Sequence, residues 1–138
     1  MATKIFINLP VSNLARSIEF FSALGYHFNP QFSDATGACM IISEDIYAML
    51  LTHENISMFT TKSIADARTS TEVLIALSCE SKDAVNSLME KALAAGASET
   101  RPPQDYGFMF GRSFDDPDGH IWELFWMDPS HIQGASNA

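Results

Sequence analysis

The sequence predicts an α+β fold of paired βαβββ modules, forming a cup-shaped mixed β-sheet with helices on the outer face. Three observations predict it. The apolar period switches between two, as in strands, and 3.6, as in helices. The order strand, helix, three short strands occurs twice, with "INLPV" (7–11) lying over "IALSC" (75–79) at a shift of 68 residues. Each helical stretch also stops on a glycine, Gly25 and Gly96, the residue best suited to a left-handed C-terminal stop.

Taken in order, "KIFINLPV" (4–11) alternates and is rich in apolar and β-branched residues, so it reads as a strand. Ile5, Ile7 and Leu9 form its helix-packing face, and Lys4, Phe6 and Asn8 point to the opposite one. "SNLARSIEFFSALG" (12–25) reads as a helix, capped by Ser12 or Asn13, with Leu14, Ile18, Phe21 and Leu24 as its apolar stripe. The extended segments "YHFNPQF", "GACMIIS" and "YAMLLTH" complete the first module, about residues 1–62. The Ser/Thr-rich stretch 54–71 reads as a surface connection, with a linker that also covers a pocket mouth as the alternative, and with a short helix at 63–68.

In the second module, about residues 70–130, "TEVLIALSC" (71–79) is a strand with Val73, Ile75 and Leu77 toward the helix and Leu74, Ala76 and Ser78 away from it. "SKDAVNSLMEKALAAG" (81–96) is a helix capped by Ser81, with Val85, Leu88, Met89 and Ala92 on one face. The strands "SETRPP", "FMFGRSF" and "HIWELFW" follow, the last two joined by the turn "DDPDGH". Residues 131–138, "HIQGASNA", are expected to be a loose tail.

Composition limits the function. Apolar residues make up 46% of the 138, enough for a packed core. The net charge of −9 and eight scattered Lys and Arg argue against nucleic-acid binding, which needs clustered cations. The start "MATKIFINLPV" lacks the length of a signal peptide or membrane span. Cys39 and Cys79 form no CxxC pair and read as small buried hydrophobes. A cytoplasmic location is expected.

Glu123 stands out. It lies inside the apolar run Ile121-Trp122-Glu123-Leu124-Phe125-Trp126, and burying a charge is costly unless it is paired or coordinates something. Alternation puts Ile121, Glu123 and Phe125 on one face and Trp122, Leu124 and Trp126 on the other.

The paired modules, the opening "NLPVSNLARSIEFFSALGY" and the hairpin "DDPDGHIWEL" together resemble the vicinal oxygen chelate superfamily, which includes glyoxalase I, extradiol dioxygenases and bleomycin-resistance proteins. The resemblance spans about residues 4 to 128. It implies a cup in which metal-dependent members hold a divalent ion with one residue from each module's first strand and one from each last strand. Those positions fall on Phe6, Leu50, Leu74 and Glu123. Only Glu123 is a ligand type, and Ala48 and Thr52, two residues either side of Leu50, offer no strong ligand, so no metal and no other cofactor is expected. His27, His53, His120 and His131 do not repair the set.

A carboxyl in such a cup favours its neutral form unless a cation partners it, and Arg112, on the neighbouring strand, is the nearest candidate by sequence. The expected ligand-binding set is Phe6, Asn8, Leu50, Leu74, Tyr106, Arg112 and Glu123, with Glu123 as the candidate catalytic acid or base and a structural ion pair as its alternative role. The resemblance implies a binder of a small organic molecule, with a lactoylglutathione-lyase-like or other isomerase, lyase or dioxygenase-type enzyme as the alternative. A homodimer is expected because partner chains in short two-module members commonly complete each other's cups. The ten Phe, two Trp and seven Met of the chain give that modest support.

Overall fold

The computed structural model describes residues 2–131. The chain divides into two compact units, Met1–Asp66 and Ala67–Ala138. The expected tail beyond His131 lies outside the described residues.

The first unit holds β1 (Ile5–Val11), α1 (Leu14–Ala23), β2 (His27–Asn29), β3 (Gly37–Ser43), β4 (Ile46–Thr52) and a single helical turn, α2 (His53–Ile56). Its open sheet has the order β1-β4-β3-β2, with β1 parallel to β4 and the other pairs antiparallel. Asn13 is the N-cap of α1, its side chain accepting from the Arg16 backbone N–H. Leu14, Phe20, Phe21 and Leu24 are buried, so the stripe falls on Phe20 where Ile18 was expected. On β1, Leu9 and Val11 are buried and Phe6 and Asn8 exposed, as alternation requires, but Ile5, expected on the helix face, is 51% exposed at the start of the strand.

The second unit repeats the plan with β5 (Leu74–Ser78), α3 (Lys82–Ala94), β6 (Ser98–Asp105), β7 (Met109–Asp115) and β8 (Ile121–Met127). Its sheet order is β5-β8-β7-β6, with β5 parallel to β8. Ser81 caps α3 by accepting from the Ala84 N–H, and Val85, Met89 and Ala92 are buried. Trp122, Leu124 and Phe114 are buried on the α3 side of the sheet. Val73 precedes β5 and is exposed, so Ile75 and Leu77 alone represent that strand on the helix side.

Two other expectations are corrected. The short helix of the connection lies at His53–Ile56, where Thr52 accepts from the Asn55 N–H as a cap; residues 63–68 are not helical. Leu50 is fully buried. It lies opposite Leu9 in the parallel β1–β4 ladder, as Leu124 lies opposite Leu77 in β5–β8. Leu50 therefore belongs to the helix face, and the repeat equivalent of Glu123 is Met49, opposite Asn8.

The "DDPDGH" turn sets the register of β7 and β8. Asp116 accepts from the backbone N–H groups of Asp118 and His120 at 2.9 and 3.0 Å and from Trp122 Nε1 at 3.0 Å. Gly119 has φ +91°, and a Cβ there would sit 2.7 Å from the Arg68 nitrogen, so the turn requires glycine on both counts. Among the described residues, no helix is long and apolar enough to cross a membrane.

Candidate functional site

The face of the second sheet away from α3 carries the candidate site. Its registers align one residue from each strand in a transverse row, Ala76–Glu123–Ser113–Arg101. The next row is Ser78–Phe125–Gly111–Gln104. Directly opposed strand residues share a face, so all eight side-chain positions point the same way. Four of them are Ala, Ser or Gly. Three of these short residues, Ala76, Gly111 and Ser113, line a concavity of about 270 Å³ over the strands, together with Tyr106, Met109, Pro102 and Phe125.

Glu123 and Arg101 meet in this concavity. Arg101 Nη2 lies 3.4 Å from Glu123 Oε2, with side-chain exposures of 57% and 29%. It is a single, long contact. At the rim, Tyr106 Oη donates to Gln104 Oε1 at 3.1 Å, and Gln104 Nε2 donates to the Pro102 carbonyl at 3.1 Å. Tyr106 N–H donates to the Met109 carbonyl, closing the β6–β7 turn and fixing the ring at the mouth.

The cation beside Glu123 is therefore Arg101, not the expected Arg112. Arg112 lies opposite Leu124 and Glu123 opposite Ser113, so Arg112 projects from the other face. There it forms a fork with Glu99, Nε to Oε2 at 3.0 Å and Nη2 to Oε1 at 3.1 Å, and reaches Asn86 and Glu90 of α3 through Nη1. Hydrogen bonds to Glu99, and its charge, raise the Arg112 guanidinium above its ordinary range, with burial acting against them. Arg112 ties β7 to β6 and α3, and it is also among the residues that line the concavity.

Arg101 was missed because β6 does not alternate evenly. Glu99 lies opposite Phe114 and Arg101 opposite Ser113, a register shift of one residue. That irregularity sends Glu99 to the helix face and Arg101 to the open face, although residues two apart on a regular strand share a face. The sequence signal was the Pro102-Pro103 pair, which marks an edge strand; β6 is the terminal strand of its sheet.

Of the other expected site residues, Leu74 is on the open face one row from Glu123, beside Ile121. Phe6 and Asn8 lie on the open face of the first sheet, where the Phe6 ring stacks on Tyr47 with centroids 4.7 Å apart. Among the described residues, no group of three or more His, Cys, Asp or Glu is placed to hold a metal ion.

The family model of the glyoxalase/bleomycin resistance protein/dioxygenase superfamily matches residues 5–124. The chain belongs to this superfamily. Within it, the folds agree with those of solved structures. A hypothetical protein from S. aureus superposes with a TM-score of 0.77 at 24% identity, covering 91% of this chain and 94% of that one. A family enzyme from Burkholderia phytofirmans PsJN gives 0.77 at 14% identity, covering 91% and 99%. The fosfomycin resistance protein FosX from Mesorhizobium loti gives 0.69 at 14% identity, covering 95% and 97%. At these identities the likeness shows the fold of this glyoxalase-superfamily chain. No curated protein matches it.

Proposed function

We propose that this superfamily member binds a small organic molecule on the open face of its second module, without a divalent metal. The observation that carries this reading is the row Ala76–Glu123–Ser113–Arg101 beneath a concavity of about 270 Å³. A carboxylate, a guanidinium and an apolar rim in one recess have the make-up of a ligand pocket: mostly apolar walls with a few placed polar groups. Against a metal, Glu123 has Ala76 and Ser113 beside it, and its nearest charged partner is a cation. In the first module the matching face carries His27 in the Phe6–Tyr47 row and Cys39 in the Asn8–Met49 row, two ligand types in separate rows, and among the described residues no group of three or more His, Cys, Asp or Glu is placed to hold a metal ion.

Gly111 supplies the test. A Cβ there would stand 3.5 Å from its nearest neighbour, ordinary contact, so the strand tolerates a side chain that fills the recess. Wild type and Gly111→Leu are incubated with a cell metabolite extract, desalted and weighed by native mass spectrometry. Fosfomycin and bleomycin are run as single compounds, since fold relatives are named for resistance to them. Wild type should retain a small molecule that Gly111→Leu loses at an unchanged melting temperature. Equal retention by both would reject the site. A mass change in the compound, abolished by Glu123→Gln, would move the reading to an isomerase- or lyase-type enzyme with Glu123 as acid or base.

The same reading takes the protein as a homodimer in a reducing compartment. Exposed Ile5, Phe6 and Leu74 on the terminal strands β1 and β5 of the two sheets support pairing. Two free cysteines, whose thiols burial pushes up, support the compartment. Light scattering at micromolar concentration should give the mass of two chains; one chain's mass would reject the dimer.

A further inference from the structure

The geometry points to a zwitterionic ligand, one carrying an ammonium and a carboxylate close together on an apolar body, that parts the Arg101–Glu123 pair and takes both partners. This rests on the binding reading above and names the class of compound.

The pair is held by one contact of 3.4 Å, using one oxygen of Glu123 and one terminal nitrogen of Arg101. It is the sole hydrogen bond of either side chain among the described residues. Glu123 Oε1 and Arg101 Nε and Nη1 thus keep their hydrogen-bonding capacity, while the other rim groups, Gln104 and Tyr106, are bonded to each other. A part-exposed single contact contributes little and is readily exchanged.

Charge balance then selects the ligand. A simple cation arriving at Glu123 would leave Arg101 unpaired beside a like charge. A simple anion at Arg101 would do the same to Glu123. Like charges close together repel, and the partner left behind gains no contact in exchange for the one it loses. A zwitterion leaves neither partner alone: its carboxylate takes the Arg101 fork, a bidentate match that the single contact to Glu123 lacks. Its ammonium takes Glu123. Ala76, Ser113 and Gly111 beneath the pair keep the floor clear for the two headgroups, and Phe125, Met109 and Tyr106 offer the apolar body a wall.

Three probes of one shape separate the charges: L-phenylalanine, phenethylamine with the cation alone, and 3-phenylpropionate with the anion alone. Affinities are measured by NMR titration of the full chain. L-Phenylalanine should bind at least about tenfold more tightly than either single-charge probe, the scale expected for one added charge-assisted hydrogen bond. Arg101→Gln should erase its advantage over phenethylamine, and Glu123→Gln its advantage over 3-phenylpropionate. Single-charge probes that bind as tightly as L-phenylalanine, and lose binding in Gly111→Leu, would overturn the zwitterion and leave the recess as a binding site. No binding of any probe, together with no compound retained from the extract, would overturn both. An advantage of L-phenylalanine that survives in both charge variants would overturn the assignment to this pair.

Discussion

The second sheet holds two arginine–glutamate pairs, one on each face, and they are built differently. On the helix face Arg112 and Glu99 meet as a fork at 3.0 and 3.1 Å, with side-chain exposures of 12% and 28%. Asn86 and Glu90 of α3 complete the arginine's partners. On the open face Arg101 and Glu123 share one contact at 3.4 Å. The first pair is closed: its donors and acceptors are used within the fold. The second is open, and its remaining capacity faces a recess. The same two residue types hold elements together in one place and stay available in the other. The difference comes from packing against α3 and from the register shift in β6.

The comparison breaks most severely through the packing beneath the closed pair. Trp122→Ala should cost about 4 kcal/mol in chemical denaturation, the usual loss for a large buried aromatic. It also removes the Nε1–H that reaches Asp116. A loss below about 1 kcal/mol would mean that the helix face is not the core of this module.

Arg112→Met should cost about 3 kcal/mol, because it leaves the part-buried Glu99 carboxylate without its fork. Ligand retention by the folded fraction should be unchanged. Equal melting temperatures for wild type and Arg112→Met would contradict the closed clamp.

Asp116 gives a smaller, pH-dependent effect. Burial raises its carboxyl above 3.8, opposed by His120 and by the hydrogen bonds from Trp122 and the turn. A carboxyl raised in the folded state favours folding fully below its unfolded value and loses that contribution as pH rises through the folded value. Wild-type stability relative to Asp116→Asn should therefore fall as pH climbs from below 3.8 toward neutrality. A difference that grows over this window would reverse the sign and refute the raised carboxyl.

The smallest effect belongs to the open pair. Arg101→Met should change stability by less than about 1 kcal/mol, since an exposed single contact is weak and screened. A loss matching that of Arg112→Met would make the two pairs alike and remove the basis for calling one of them available.

Much of this was legible before the fold was known. Strand β8 alternates without interruption and follows a strong Asp-Pro-Asp-Gly turn, so its two faces, Glu123 on one and Trp122 with Leu124 on the other, could be read directly. The doubled order of elements and the terminal glycines did the same for the modules. Legibility failed where parity had to be carried across strands. From the sequence alone Leu50 falls on the open face because the first module's loop lengths hide the β1–β4 register; the ladder puts Met49 there. Nearness in the hairpin points to Arg112 as Glu123's partner, but opposite residues in this register are Ser113 and Glu123. Arg101 was hidden by the irregularity after Glu99, and no period-of-two reading crosses such a step correctly.

The proposed ligand contacts fall on the open face of the second sheet, around Arg101 and Glu123. Backbone amide shifts in an NMR titration with L-phenylalanine test this placement most directly. The largest shifts should map to Ala76, Arg101, Gly111, Ser113, Glu123 and Phe125, while Asn86 and Glu90 on α3 stay still. Shifts centred on α3, or on Asn8 and Met49 of the first module with the Glu123 row unmoved, would contradict it.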